Sequence, residues 1–203
     1  MTITWLGHAC FALESGDYRI VIDPYEDIPY PPLQTEAHEI FCSHGHYDHA
    51  AVSAVTLLSG GESPFTVTEI PCYHDEVQGA KRGENTIRVF ETEGIRVAHL
   101  GDLGHLLSEE QLAALGKLDA LLIPVGGVYT LDPHEAKQTA DAVGAKLTVP
   151  MHYRRGALGL QNVADVEEFL ALYPAGRVVR SPFASFDPAD YDEGAVLLPA
   201  FGG

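Results

Sequence analysis

Four of the six residues from His44 to His49 carry metal-binding side chains: His44, His46, Asp48 and His49, in the stretch SHGHYDH. Neutral imidazole is the commonest protein ligand for transition metals, and a carboxylate suits the same borderline ions. A lone histidine is usually a surface or packing residue. Four such donors directly after the apolar run EIFCS need partners, because clustered buried polar groups are costly when unpaired. If the run continues as a strand, residues i and i+2 face one side, so His44 and His46 would point together. A loop leaving the strand then aims Asp48 and His49 at a neighbouring point, and Gly45 removes bulk between the first two donors. This spacing suggests two adjacent cation positions.

The elements that must position these groups read first as strands. ITWLGHACFALES and YRIVID carry β-branched and aromatic residues, with SGD as the turn between them. DPYEDIPYPPLQTEAHE is proline-rich and reads as an irregular loop, and DHAAVSAVTLLSGG as a helix stopped by glycines. FTVTEIPCYHD reads as a strand, DEVQGAKRGEN as a polar loop, and TIRVFETEGIRVAHLGD as two strands turning at Glu93 and Gly94. SEEQLAALGKL opens with a capping box, Ser108 with Gln111, and predicts a helix. DALLIPVGG, KLTVPMHY and RVVR follow as strands, separated by helices in TLDPHEAKQTADAVGA and NVADVEEFLALYP. A strand-rich first half and an alternating second half predict a mixed α/β fold of two sheets with helices outside. No repeat or linker divides the chain, so residues 1–203 are expected to form a single domain.

Composition sets the outer bounds. Hydrophobic residues make up 46% of the 203 and charged ones 20%, ordinary values for a globular protein. No apolar run approaches the ~20 residues of a membrane span, and the first residues lack a basic start followed by a long apolar stretch. Neither a membrane partner nor a signal peptide is expected. Cys10, Cys42 and Cys72 are odd in number and lack CxxC spacing, which argues against a disulfide framework and a zinc finger, and for the cytoplasm. The formal net charge of −17 repels phosphate backbones, so nucleic acid is not an expected partner. A small anionic substrate stays compatible with it, because a bound metal inverts the local potential.

SHGHYDH is similar to the HxHxDH motif of the metallo-β-lactamase-fold hydrolases, which carry it between a strand and a helix. The resemblance implies a four-layer αββα sandwich with a two-metal site at the edges of its sheets. The rest of the family's pattern is found in order: Asp23 in VIDP, His74 in PCYHD, Asp102 in HLGDLG and His152 in VPMHY. The wording of WLGHACF, HDEVQGAKRG, HLGD and PVGG resembles the branch that contains L-ascorbate 6-phosphate lactonase. The YHDE setting of His74 differs from the HTPGH-like turn of thioester hydrolases and lactamases. No cysteine stands where many β-lactamases place a ligand.

Carried over from that family, His44, His46 and His74 hold a first metal, Asp48, His49 and His152 a second, and Asp102 bridges the two. The resemblance thus implies two divalent ions, Zn2+ first and Mn2+ as the alternative. Together they would activate a shared hydroxide to cleave an ester, lactone or phosphodiester bond in a small molecule, with Asp48 and Asp102 as the catalytic carboxylates. Asp23 is the expected acceptor of a ligand's second ring N–H. His99, three positions before Asp102, is expected behind the ligands rather than among them. His8 either faces the site or packs. Arg82 and Arg154, with Tyr129 and Tyr153, are candidates for substrate contact, since a guanidinium holds a phosphate or carboxylate. His38 and His134 are expected to face solvent. Two other activities occur on this fold. An iron-dependent oxidoreductase would replace His46 with a carboxylate, and an RNA-processing nuclease fits poorly with the net charge. Members of the family often assemble, so a homo-oligomer is compatible with the resemblance.

Overall fold

The computed structural model describes residues 1–202. Along the chain it forms β1 (Thr2–Gly7), β2 (Cys10–Ser15), β3 (Tyr18–Ile22), β4 (Thr35–Ala37), β5 (Glu39–Phe41), β6 (Val55–Leu57), β7 (Thr66–Tyr73), β8 (Glu84–Thr92) and β9 (Ile95–His99). The second half continues with α1 (Glu109–Leu115), β10 (Ala120–Pro124), α2 (Pro133–Val143), β11 (Leu147–Met151), α3 (Val166–Leu170), β12 (Val178–Arg180), β13 (Ser185–Phe186) and β14 (Ala195–Leu198). One sheet runs in the order β13-β1-β2-β3-β5, a second in the order β12-β14-β11-β10-β9-β8-β7, and β4 pairs with β6 alone.

Burial explains the layering. In β10, β11 and β14 every residue is buried, the pattern of parallel strands covered on both faces. The three helices gather by this second sheet, with α2 packed on β10 and in contact with α1 and α3. Each helix starts where its sequence caps it, with reciprocal capping boxes at Ser108, Asp132 and Asp165. Residues of both sheets enter one buried cluster that includes Trp5, Phe11, Ile20, Phe90, Leu121 and Val149. Each such side chain contributes about 1.5–3 kcal/mol by leaving water. Phe41 meets Phe90 edge-on across the sheets, with ring centroids 5.2 Å apart.

The mixed α/β arrangement of two sheets is the one expected, but three local readings change. Residues 48–59 form no α-helix; a 3-10 turn at Val52–Ala54 leads into β6 instead. The β-branched Val55 and Thr56 favour an extended chain, and they find partners in Thr35 and Glu36 of β4, inside the segment read as irregular loop. His38 is half-buried rather than free in solvent, because its Nδ1 accepts the Arg19 N–H at 3.1 Å and its ring stacks on Tyr18. The strands β13 and β14 were not evident in the sequence: one has two residues, and AVLL is too short to show a period.

Strand direction is what positions the site. Strands β1, β3 and β5 run the same way, because β1 and β3 flank β2 in antiparallel pairing and β3 is parallel to β5. His8, Asp23 and the cluster at residues 44–49 follow those three strands. In the second sheet β7, β9, β10 and β11 also share one direction, and their carboxyl ends lead to His74, Asp102, Tyr129 and His152. Ligand sites form at such carboxyl edges because the connecting loops converge there.

Candidate metal centre

Seven strand ends release their chains into sharp turns at this edge. Asp23 and His152 adopt left-handed backbone at φ 49° and 53°, a conformation that costs side-chain-bearing residues free energy and clusters at functional sites. Two glycines let the loops close up. A Cβ on Gly126 would stand 2.2 Å from the His152 carbonyl oxygen, and one on Gly104 would stand 2.5 Å from the His74 carbonyl carbon. Ser43 joins the sheets: its carbonyl accepts the Thr86 N–H at 3.0 Å, and its own N–H and hydroxyl donate to the two oxygens of Asp23, each at 2.6 Å.

Asp102 lies at the centre. Its Oδ1 is 3.1 Å from His49 Nε2, and its Oδ2 is 3.1 Å from His74 Nε2 and 3.3 Å from His152 Nε2. The backbone N–H of Asp102 donates to Asn85 Oδ1 at 3.0 Å, while Asn85 Nδ2 donates to the Leu100 carbonyl, which fixes the turn. On one side of Asp102 the donors of His44, His46 and His74 lie within 4.8 Å of one another. On the other side the donors of Asp48, His49 and His152 do the same, together with His8. His49 turns its Nδ1 to Asp23 Oδ2 at 2.7 Å, and His74 Nδ1 donates to the Tyr129 carbonyl at 3.1 Å, so each ring offers its Nε2 to the centre.

The electrostatics follow from burial and proximity. Burial, reinforced by His152, pushes the His8 imidazole down to about 4; burial, reinforced by His49, does the same to His44. Both rings are therefore neutral at pH 7, with lone pairs free. Burial alone would raise the Asp102 carboxyl, but His152 and His49 outweigh it and hold the group well below the usual carboxylate range. Burial also opposes ionisation of Asp23 and of Asp48, and the neighbouring histidines again win, lowering both. His49 behaves oppositely: burial disfavours its charge, yet Asp102 and Asp23 hold its imidazolium well above the ordinary value. Three ionised carboxylates, with the neutral imidazoles of His8 and His44 beside them, make a buried site that attracts cations.

Whether the donors fit metal ions is answered by their unused atoms. His44 Nε2, His49 Nε2 and Asp102 Oδ1 are buried without a hydrogen-bond partner, and buried groups of this kind are almost always paired. They face one another, which is the arrangement of a ligand set. The site opens on a cavity of about 520 Å³ lined by His46, Asp48, His74, Asp102 and His152, with Tyr47, Arg82, Tyr129 and Leu160 on its walls.

The sequence profile of a family described as "Beta-lactamase superfamily domain" matches residues 2–152. The chain belongs to the β-lactamase superfamily. A UPF0173 metal-dependent hydrolase from Methanoculleus marisnigri is 33% identical over 198 residues, spanning 81% of this chain and 86% of that protein. A UPF0173 protein of Pyrococcus furiosus is 33% identical over 194 residues, spanning 83% and 89%. A solved structure from Thermotoga maritima, described as a candidate Zn-dependent hydrolase of the metallo-β-lactamase superfamily, superposes with a TM-score of 0.76. It is 35% identical and covers 97% of this chain and 96% of its own. This superfamily member is thus a metal-dependent hydrolase. Among the described residues, no helix is long and apolar enough to cross a membrane.

The other sequence-predicted residues of this β-lactamase superfamily protein divide clearly. Arg82 reaches the cavity: its Nη2 donates to the Val128 carbonyl at 2.7 Å and its guanidinium lies 5.7 Å from the centre of the Tyr129 ring. Asp75, next to His74, holds that loop by accepting the N–H groups of Val77, Gly79, Lys81 and Arg82. Arg154 does not reach the cavity; it turns to Asp165, at 3.2 Å. Two residues after His152 is too far along a bending chain to keep the same heading. Tyr153 is likewise removed, buried against Trp5 at 5.5 Å between ring centroids. His99 packs behind the centre, giving Nε2–H to the Ala9 carbonyl at 2.8 Å and accepting the Gly101 N–H at 3.1 Å. His44 and His46 sit on a bend beyond β5, not on the strand, so it is the bend and not an i, i+2 strand face that brings their donors within 4.8 Å of each other. Asn85 and Leu160 carried no signal in the sequence.

Asp23 gives the first expected result. Asp23→Asn removes the charge behind His49 and should weaken cation affinity about 10–100-fold, read by competition with a chelator, while the fold is retained. Unchanged affinity would show that His49 is oriented by packing alone.

Proposed function

We propose that the protein uses two divalent cations, zinc first and manganese as the alternative, to hydrolyse an ester, lactone or phosphodiester bond in a small anionic molecule. The observation that supports this is the pair of facing donor sets on either side of Asp102, opening on a cavity of a size that takes small ligands. His44, His46 and His74 would hold one cation and Asp48, His49 and His152 the other, with Asp102 between them. Such cations supply Lewis-acid polarisation of the bond to be cleaved and an acidified water as nucleophile. The chain's own part is to orient, neutralise and enclose. Asp102 and Asp48 bring negative charge that balances the cations, and both lie in the cavity wall. Tyr47, Tyr129 and Leu160 form its less polar side.

Anion recognition falls to Arg82, which alone among the lysines and arginines of the described residues lines this cavity. One of its five donors is spent on Val128, leaving others for a carboxylate or phosphate. Arg82→Ala should raise KM for an anionic substrate about tenfold or more with little change in kcat, and should leave a neutral ester unaffected. Equal losses on both substrates would assign Arg82 to loop structure instead. The net charge of −17 speaks against nucleic acid as the anion.

The test of the proposal is the metal content of protein purified without added metal, combined with a screen of esters, lactones and bis(p-nitrophenyl) phosphate in zinc and in manganese. Two ions per chain and hydrolysis that a chelator abolishes are expected. Iron with oxygen uptake and no hydrolysis would overturn it.

A further inference from the structure

His8 is the buried histidine whose contacts packing does not explain. It is 1% exposed, and neither ring nitrogen has a hydrogen-bond partner. A packing histidine pairs at least one nitrogen, as His99 pairs both. The His8 ring instead stands 4.2 Å from the His152 ring and 5.3 Å from the His49 ring, centroid to centroid. Its Nε2 lies 3.4 Å from Asp48 Oδ2 without forming a hydrogen bond. The chain also holds His8 in place at some cost. Its backbone is left-handed, at φ 51°, and its carbonyl accepts both the Trp5 indole N–H at 3.1 Å and the His152 N–H at 3.3 Å. His8 does not line the cavity, so it is not placed to touch a substrate.

Resting on the two-cation reading above, we propose that His8 is a further ligand of the second cation, alongside Asp48, His49, His152 and the bridging Asp102. The two positions then differ in kind. The second has five donors from the chain and the first four, His44, His46, His74 and Asp102; both meet the cavity, the first through His46 and His74 and the second through Asp48 and His152. Structural metal positions are closed and reactive ones keep a place open. The second cation, with the fuller donor set, is accordingly the more tightly held, and the first keeps more of its coordination open to water and substrate.

Zinc titration of the metal-free protein should show two sites of unequal affinity, and His8→Ala should weaken the tighter one by about 100-fold while sparing the other. A residue that merely steadied Asp48 would cost about 10–100-fold as well, so affinity alone does not decide. The deciding measurement uses the wild-type chain loaded with cadmium-113, in which a ring bound to the ion shows resolved coupling to it. Six coupled imidazoles, three to each ion, are expected, and His8→Gln should remove one from the second ion. Two bound ions with five coupled imidazoles overturn the assignment of His8 and leave the two-cation reading standing. Fewer than two bound ions overturn that reading, and the assignment with it.

Discussion

Asp102→Asn is expected to lower turnover about 10³-fold or more, equivalent to ~4 kcal/mol of transition-state stabilisation, with the fold intact. The reason is the reach of a single carboxylate. Its two oxygens lie within 3.3 Å of histidine nitrogens drawn from three different strand ends: His49, His74 and His152. Asparagine keeps the shape and leaves the backbone N–H on Asn85, so little stability should be lost. It removes the charge, however, and turns one of the two acceptors into a donor that faces imidazoles and any cation between them. Circular dichroism and a thermal melt should match the wild type, while kcat collapses and the content of one or both ions falls. Near-normal turnover with both ions retained would remove Asp102 from the bridging position.

The second large effect separates two histidines that the sequence makes look alike. His74→Ala should lose one ion per chain and most of the activity, because His74 spends only Nδ1 on the Tyr129 carbonyl and turns Nε2 to Asp102. His99→Ala should retain both ions. Each of its ring nitrogens is engaged with backbone, at Ala9 and Gly101, so no lone pair remains for a cation. Its cost should appear in stability instead: a cavity beside Phe11, 5.9 Å away between rings, and two unpaired backbone groups amount to about 2–4 kcal/mol. Metal analysis by mass spectrometry and the melting temperature, measured on both variants, check this. The opposite pattern would exchange the two roles.

Some of this site was legible because it is local. The donors at residues 44–49 lie within one turn of chain, and the runs leading to His74, Asp102 and His152 are apolar strands whose ends can be seen. The helix starts were legible for the same reason, since a capping box spans only four residues. Where neighbours distant in sequence decide, reading failed. The supposed helix at residues 48–59 gives way to a 3-10 turn and the strand β6, because β4 offers Val55–Leu57 a ladder, and β4 lies in a loop that prolines made look irregular. Arg154 and Tyr153 follow His152 by two and one positions, yet the turn after β11 sends one to Asp165 and the other against Trp5.

What the sequence by itself determined is the inventory: which donors exist, their order, and the strands that must carry them, because residue type and short-range period are written directly in the chain. What only the tertiary structure decided is direction. Two sheets whose strands end at one edge bring His8, Asp23 and Asp48 against His74, Asp102 and His152. Whether a histidine there offers a free lone pair or spends it on backbone depends on contacts across up to 90 residues of chain, as in the bond from His99 to Ala9.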